Sequence, residues 1–368
     1  MRLPELRVEG ARETATGPVA GYVAERSATG TKTDTPLIET PQSVSVITSD
    51  RIQAQNIDTL NQAMLYTPGA FATSVDFRGE YFNLRGFAAD IYLDGLRVPV
   101  PVPAQSCRIE PWGMERIEVL RGASSGLYGQ ANLGGIVNAV SKRPRPDMVS
   151  QVAIQGDSFG RIQGMFDVGG AAGRDGSLLW RFNGLVRDSD TYVDFGRDNR
   201  IYLAPSLAWR PTADTSLTVL ASYLRDDLGV TGQWLLPQGT VLPNPNGTIP
   251  RGRSTGEPGF DRYRKSQYAI GTILEHRLNA DWAVRQNPRY TYQELDYATI
   301  FTDLTFVPPN QQRVAGRSAS YQAPLHWSVA VDNQAEGRFR TGPLDHGVLF
   351  GLDYRVQRSH NRTWTARA

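Results

Sequence analysis

Met114-Glu115-Arg116-Ile117-Glu118-Val119-Leu120-Arg121-Gly122 runs through Gly126-Leu127-Tyr128-Gly129 into Gly134-Gly135-Ile136-Val137-Asn138. From Arg116 to Leu120 charged and apolar residues alternate, the period-2 pattern of a strand with one wet and one dry face. The glycines that follow permit turns and close backbone approach that a Cβ would block. The stretch therefore predicts strand, glycine-rich turn and strand. On these residues alone, that element fits any mixed domain.

Working outward, Thr40-Pro41-Gln42-Ser43-Val44-Ser45-Val46-Ile47-Thr48 is an edge-strand pattern with proline at its start. Ser49 or Asp50 can cap a helix running through Leu65, because Ile52, Ile57, Leu60, Met64 and Leu65 supply an apolar stripe. Tyr66-Thr67-Pro68-Gly69 ends it. Asn83-Leu84-Arg85-Gly86-Phe87 and Ile91-Tyr92-Leu93-Asp94-Gly95-Leu96 follow.

Composition narrows the class. With 39 basic against 37 acidic residues the formal charge is +2, which gives no basic footprint for nucleic acid. Cys107 is the single cysteine, so no intramolecular disulfide exists, and four histidines without ligand spacing offer no metal cluster. Cys107 reads as an incidental thiol. No run of ~18 apolar residues occurs, which excludes a helical span and leaves a transmembrane β-barrel open.

From about Val149 to Tyr354 the chain breaks into alternating segments separated by Gly, Asp, Asn and Pro. Leu178, Trp180, Phe182, Gly184 and Val186 share one face, with Ser177, Arg181, Asn183 and Arg187 opposite. Ile201, Leu203, Leu207 and Trp209 repeat the pattern, as do Leu217, Val219, Ala221 and Tyr223. Further on, Tyr268, Ile270, Leu274 and Leu278 continue it, then Val348, Phe350, Leu352, Tyr354 and Val356. A soluble sandwich would alternate too. Short turns such as Arg210-Pro211-Thr212-Ala213-Asp214, set against the long Gly229 to Lys265 connection, favour an outer-membrane barrel with an apolar lipid face.

Taken in order over about residues 25 to 145, the motifs resemble the plug of TonB-dependent outer-membrane receptors, ferrichrome-type ferric-siderophore receptors in particular. The resemblance implies an α+β plug domain followed by an antiparallel transmembrane β-barrel. Residues 1–33 would be a TonB-box-like leader and linker, 34–147 the plug and 148–368 a partial barrel. Such receptors close roughly 22 strands, and strands of ~10 residues leave room here for about nine. An incomplete receptor is therefore expected, the N-terminal portion of one, since an open sheet in lipid leaves its edge groups unsatisfied. Met1-Arg2-Leu3-Pro4 shows no basic and apolar signal region, so a start trimmed or assigned too late is expected.

Function follows as what the resemblance implies: TonB-dependent import of a ferric siderophore, hydroxamate type, at the outer membrane of a Gram-negative bacterium. The partners are a TonB-type energy-transducing protein, the siderophore and outer-membrane lipid, with no nucleic acid. No cofactor is implied, the ferric siderophore being cargo. The alternative is a non-transporting plug-type binding or signalling module, or a pore without energised transport. Glu5, Leu6, Arg7 and Val8 would form the TonB box, which adds as a β-strand to its partner, tethered by the flexible Gly10 to Thr33 segment. Arg85 and Arg121 match arginines that pair with barrel glutamates, here expected in the missing barrel portion. Arg78 matches an apical arginine that contacts hydroxamate, a task suited to a fixed donor fork. Tyr81 could pack on the ligand, and Gln105 is the polar handle of the Val100 to Ser106 loop, whose Pro-Val-Pro-Ala composition departs from the ferrichrome pattern. Trp234, in Thr231 to Pro237, resembles a ligand-facing loop aromatic and fits plain loop packing equally well, whereas Phe301 falls near another such aromatic and reads better as part of an interfacial belt.

An enzyme is not expected. Gly122-Ala123-Ser124-Ser125-Gly126 fits G-x-S-x-G, but the sequence through Gly135 is too glycine-rich to start the helix that a nucleophile elbow needs.

Overall fold

A computed structural model describes residues 13–72, 78–99, 107–173, 175–231, 234–307 and 309–367. The Met114–Arg121 strand sits inside a 5-stranded sheet, between Ser43–Thr48 and Gly135–Ser141, with Asp90–Leu93 and Leu96–Arg97 beyond. Every pair is antiparallel except Gly135–Ser141 with Asp90–Leu93. Register places Ile117 beside both Ile47 and Ala139. These residues, with Val119, Leu84, Leu60 and Met64, form the apolar core of this domain.

The helix expected from Ser49 to Leu65 is two helices, Ser49–Ala54 and Leu60–Met64. Asn56, at φ +50°, turns the chain between them. Thr48 caps the first, its hydroxyl accepting from the Arg51 N–H, and Thr59 caps the second through Gln62. The cap is thus one residue earlier than Ser49. Of the apolar stripe, Leu65 faces solvent, since it falls beyond the second helix. One turn of helix does follow the glycine-rich corner, at Ser125–Tyr128, closed by Gly129 at φ +65°.

The second half is an 11-stranded sheet of long antiparallel strands. Two of its pairings are shared: Trp282–Phe306 pairs with Ala315–Gln322 along one half and Leu325–Thr341 along the other. Those two are collinear pieces of one stave, broken at Ala323-Pro324, where proline lacks the ladder donor. Leu344–His360 and Thr363–Arg367 continue alongside them.

Burial along these strands is inverted relative to a soluble sheet. Trp180, Val186, Ile201, Leu207, Trp209, Ile270 and Phe350 are exposed. Between them Arg181, Asn183, Arg187, Arg200 and Gln267 are buried. A sandwich would bury the apolar set between its sheets; here the apolar face looks outward and the polar face packs on the plug, as in a membrane barrel. Short turns at 213–214, 278–281 and 342–343 lie at one end, and the connections 230–261 and 307–314 at the other.

The leader departs from expectation. Residues 13–33, expected as a flexible tether, are docked on the plug: Ala15, Val19, Ser27, Thr29 and Lys32 are buried. Arg26–Ser27 pairs with Thr35–Pro36 as a small hairpin. It covers what was expected to be the wet face of the Met114–Arg121 strand. Arg116 there donates to the carbonyls of Arg26, Thr14 and Gly17 at 2.9, 2.9 and 2.5 Å. Glu118 accepts from Ser27 at 2.8 Å and from Thr29.

Candidate functional site

Arg78 stands where the plug meets the long-loop end of the wall. Its guanidinium lies 5.5 Å from the Tyr297 ring centroid, and Nη1 donates to the Tyr297 hydroxyl at 2.6 Å. Its carbonyl accepts from Tyr263 Oη at 2.9 Å and Lys265 Nζ at 3.4 Å. Tyr263 and Tyr297 meet edge to face at 5.4 Å. The wall thus holds Arg78 at two points, its guanidinium through Tyr297 and its backbone carbonyl through Tyr263 and Lys265, which places a planar donor group beside buried phenols. Tyr81 is anchored by its backbone N–H to Asn61 Oδ1 at 3.0 Å.

Trp234 and Phe301 pack on one another, centroids 5.3 Å apart at 64°. The Thr302 hydroxyl holds the Trp234 carbonyl. Strand alternation puts Phe301 on the same plug-facing side as Tyr297, about 13 Å further along. Phe301 thus lies on the plug side of the wall rather than on its lipid side, and Trp234, packed on it, is half exposed. Gln105 and the box residues Glu5, Leu6, Arg7 and Val8 lie outside the described residues.

Arg85 and Arg121 come together at the exposed side of the plug, flanking Gly69, where an added Cβ would lie 3.7 Å from the Arg85 side chain and 3.8 Å from that of Arg121. Arg121 donates to the Pro68 carbonyl at 2.6 Å and to Ser43 and Ser45 at 3.1 and 2.7 Å. Among the described residues neither forms an ion pair with a carboxylate. Burial and the neighbouring Arg85 charge pull the Arg121 pKa down.

Sequence reading missed the ion pairs along the plug–wall seam. Arg289 from the wall reaches Asp94 at 2.5 Å. Arg200 bridges Asp226 at 2.7 Å and plug Glu110 at 2.8 Å, with Arg108 3.5 Å from Asp226. Arg181 joins Asp167 at 2.7 Å to plug Glu115 at 3.2 Å, and Lys142 adds a 2.8 Å contact. Arg187 reaches Asp58 at 3.1 Å. The available signal was a charged residue at an inward position of an alternating strand, which Arg181 and Arg187 already displayed.

Cys107 is buried in the same seam, donating to Gln293 at 3.1 Å, and burial pushes its thiol up to about 12. At neutral pH it is no thiolate nucleophile. Ser124, of the G-x-S-x-G match, is buried without a hydrogen-bond partner for its hydroxyl. No metal-holding group of His, Cys, Asp and Glu is found among the described residues. The arrangement offers donors and aromatic walls for recognition at the apex and a charged seam beneath.

Fold and seam define a plug packed against an antiparallel wall of the outer-membrane type. Residues 36–136 match the family described as the TonB-dependent Receptor Plug Domain. The chain is 32% identical over 357 residues to the ferrioxamine B receptor of Salmonella typhimurium, covering 95% of this chain and 50% of that receptor. Against the ferrichrome outer membrane transporter/phage receptor of Escherichia coli it is 31% identical over 379 residues, covering 96% and 50%. The ferripyoverdine receptor of Pseudomonas aeruginosa, solved with ferripyoverdine bound, superposes with a TM-score of 0.85 at 20% identity, over 96% of this chain and 47% of that one. The chain belongs to the TonB-dependent receptors of the outer membrane, and its sequence is of the ferrichrome type. It spans about half the length of these curated relatives.

Proposed function

We propose that the receptor represented by this chain imports a ferric siderophore of the hydroxamate type across the outer membrane, without making or breaking a covalent bond. The observation that carries this is Arg78, held between Tyr297 and Tyr263 at the plug apex with its donors already oriented. Hydroxamate and carbonyl oxygens around ferric iron are acceptors that a guanidinium fork can meet. Trp234 supplies a second, aromatic contact, and Tyr81 and Gln105 are further ligand contacts. Relatives named as ferrioxamine B and ferrichrome receptors support the ligand class. Energy enters through a TonB-type partner that adds a strand to Glu5, Leu6, Arg7 and Val8, and Arg85 and Arg121 take barrel carboxylates as partners. In the full-length receptor, Arg78→Ala is expected to weaken binding of ferrioxamine B or ferrichrome at least tenfold, about 1.4 kcal/mol, while the plug stays folded. Unchanged affinity for both would overturn the assignment.

A further inference from the structure

Glu80 stands in the chain between Arg78 and Tyr81, the two apical residues assigned to the ligand. Those two are half-buried, whereas the Glu80 side chain is only 1% exposed. A buried carboxylate is costly unless donors and cations meet both of its oxygens. Oε2 accepts from the Asn61 N–H at 3.1 Å, while Oε1 has no hydrogen-bond donor among the described residues and faces Arg108 Nε at 3.7 Å. Stability alone does not favour a carboxylate satisfied on one side. What Glu80 does achieve is to join separate parts of the plug.

On one side is Asn61, in the helix Leu60–Met64. Its backbone N–H donates to Glu80 and its Oδ1 accepts from the Tyr81 N–H at 3.0 Å, so one residue holds two successive ones in a closed ring. The helix is itself fixed. Thr59 caps it through Gln62, Gln62 Oε1 accepts from the Asp58 N–H at 2.6 Å, and Asp58 pairs with Arg187 of the wall. On the other side is Arg108, just past Gln105 in the chain. A wall amide grips its backbone: Gln267 Oε1 accepts from the Arg108 N–H at 2.7 Å, and Gln267 Nε2 donates to the Arg108 carbonyl at 2.9 Å.

The stretch from Arg78 to Tyr81 is therefore tied at both ends. Its first residue is held to the wall through the Arg78 carbonyl, and its last two are held to the helix through Asn61. A binding segment fixed in place before its ligand arrives loses less freedom on binding, which raises affinity without any added contact.

We propose that Glu80 and Asn61 are positioning residues of the siderophore site, acting through Arg78 and Tyr81 rather than on the ligand. Asn61 sets the segment against the helix, and Glu80 sets it against Arg108, which flanks Gln105. The inference deepens the import reading and rests on its assignment of Arg78 and Tyr81 to the ligand.

The test is a mutant cycle in the full-length receptor, read as the Kd for ferrichrome and ferrioxamine B, with hydrogen-exchange protection of Ser43–Thr48 confirming that the plug is folded. Glu80→Ala and Asn61→Ala should each weaken binding roughly tenfold. Glu80→Gln, which keeps an acceptor for the Asn61 N–H, should stay within about threefold of the parent. In a receptor already carrying Arg78→Ala and Tyr81→Ala, the same two changes should cost less than about threefold, because nothing is left for them to position. Asn61→Ala opens the ring from the helix side and serves if Glu80→Ala does not fold. Undiminished losses in that background would assign both residues to folding alone and overturn the proposal. Parent affinity in both variants, beside a weakened Arg78→Ala, would overturn it too and leave the import reading untouched; parent affinity in Arg78→Ala as well would overturn both.

Discussion

Arg289, on a wall strand, holds the buried carboxylate of Asp94, at the tip of a plug hairpin, at 2.5 Å. The neighbouring groups converge on the same tip. Asn287 donates to the Asp94 carbonyl and Arg289 to the Leu93 carbonyl, both at 2.8 Å, and Ser141 gives Asp94 two further hydrogen bonds. The hairpin is thereby fastened to the wall by both side chain and backbone.

Removing one partner strands the other. Arg289→Ala leaves a buried carboxylate with Ser141 as donor but only the more distant Arg143, at 3.9 Å, as a cation, and should cost roughly 3–5 kcal/mol of plug stability. Hydrogen exchange of residues 90–97 in the full-length receptor reads this, as protection lost there but kept in the Ser43–Thr48 strand.

Acid should act on the same pair. Burial alone would raise the Asp94 carboxyl, but Arg289 and Arg143 overcome it and hold the pKa below the usual range. The native state then binds fewer protons than the unfolded one, so this stabilisation is complete above an ordinary carboxylate pKa of about 4 and declines as pH falls through the lower folded value. A melting series should show an acid limb that Asp94→Asn flattens; an unchanged limb would assign acid sensitivity to other carboxylates.

The docked leader should be cut only after release. Arg116→Ala deletes three hydrogen bonds to leader carbonyls. Trypsin is then expected to cleave after Arg26 at least tenfold faster than in the parent receptor, with N-terminal sequencing as the readout. Cleavage at the parent rate would show that Glu118 and Lys32 suffice to hold the leader.

Trp234 and Phe301 should behave as a pair. An edge-to-face contact contributes about 0.5–1.5 kcal/mol beyond burial, so Trp234→Ala and Phe301→Ala should be non-additive by that amount in siderophore affinity. Additive losses would mean that the two aromatics serve separate purposes.

The domain frame was legible where geometry imposes a period. Alternation in Met114–Arg121 follows from the pleat, and alternation at Leu178 to Val186 marks the outward face. The helix break at Asn56 was not, because Ile52 and Ile57 satisfy an apolar stripe whether or not the chain turns between them. The leader was misread for a physical reason. Its Gly, Ala, Thr and Ser content reads as a tether, yet beside the Ser27, Thr29 and Lys32 side chains it is held by its own backbone carbonyls at Thr14, Gly17 and Arg26, which leave no side-chain signature. Arg78 and Trp234 could be singled out by resemblance, whereas Tyr297 and Tyr263, which orient Arg78, are brought to it by strand register. The same holds for Asp94 and Arg289, which lie 195 residues apart in sequence.

The inverted burial of the wall has a mechanical consequence. A plug glued by leucines would expose oil on leaving its seat, at roughly 25 cal/mol for each Å² wetted. Here the joint carries arginine, aspartate, glutamate and amide, which can exchange one another for water as they part, beside an apolar cluster where plug Trp112 meets wall Leu185, Tyr202 and Leu224. Resistance to extraction is therefore concentrated in geometry, in how many ion pairs must yield at once, so a load applied from one end can undo the joint pair by pair, like a zip.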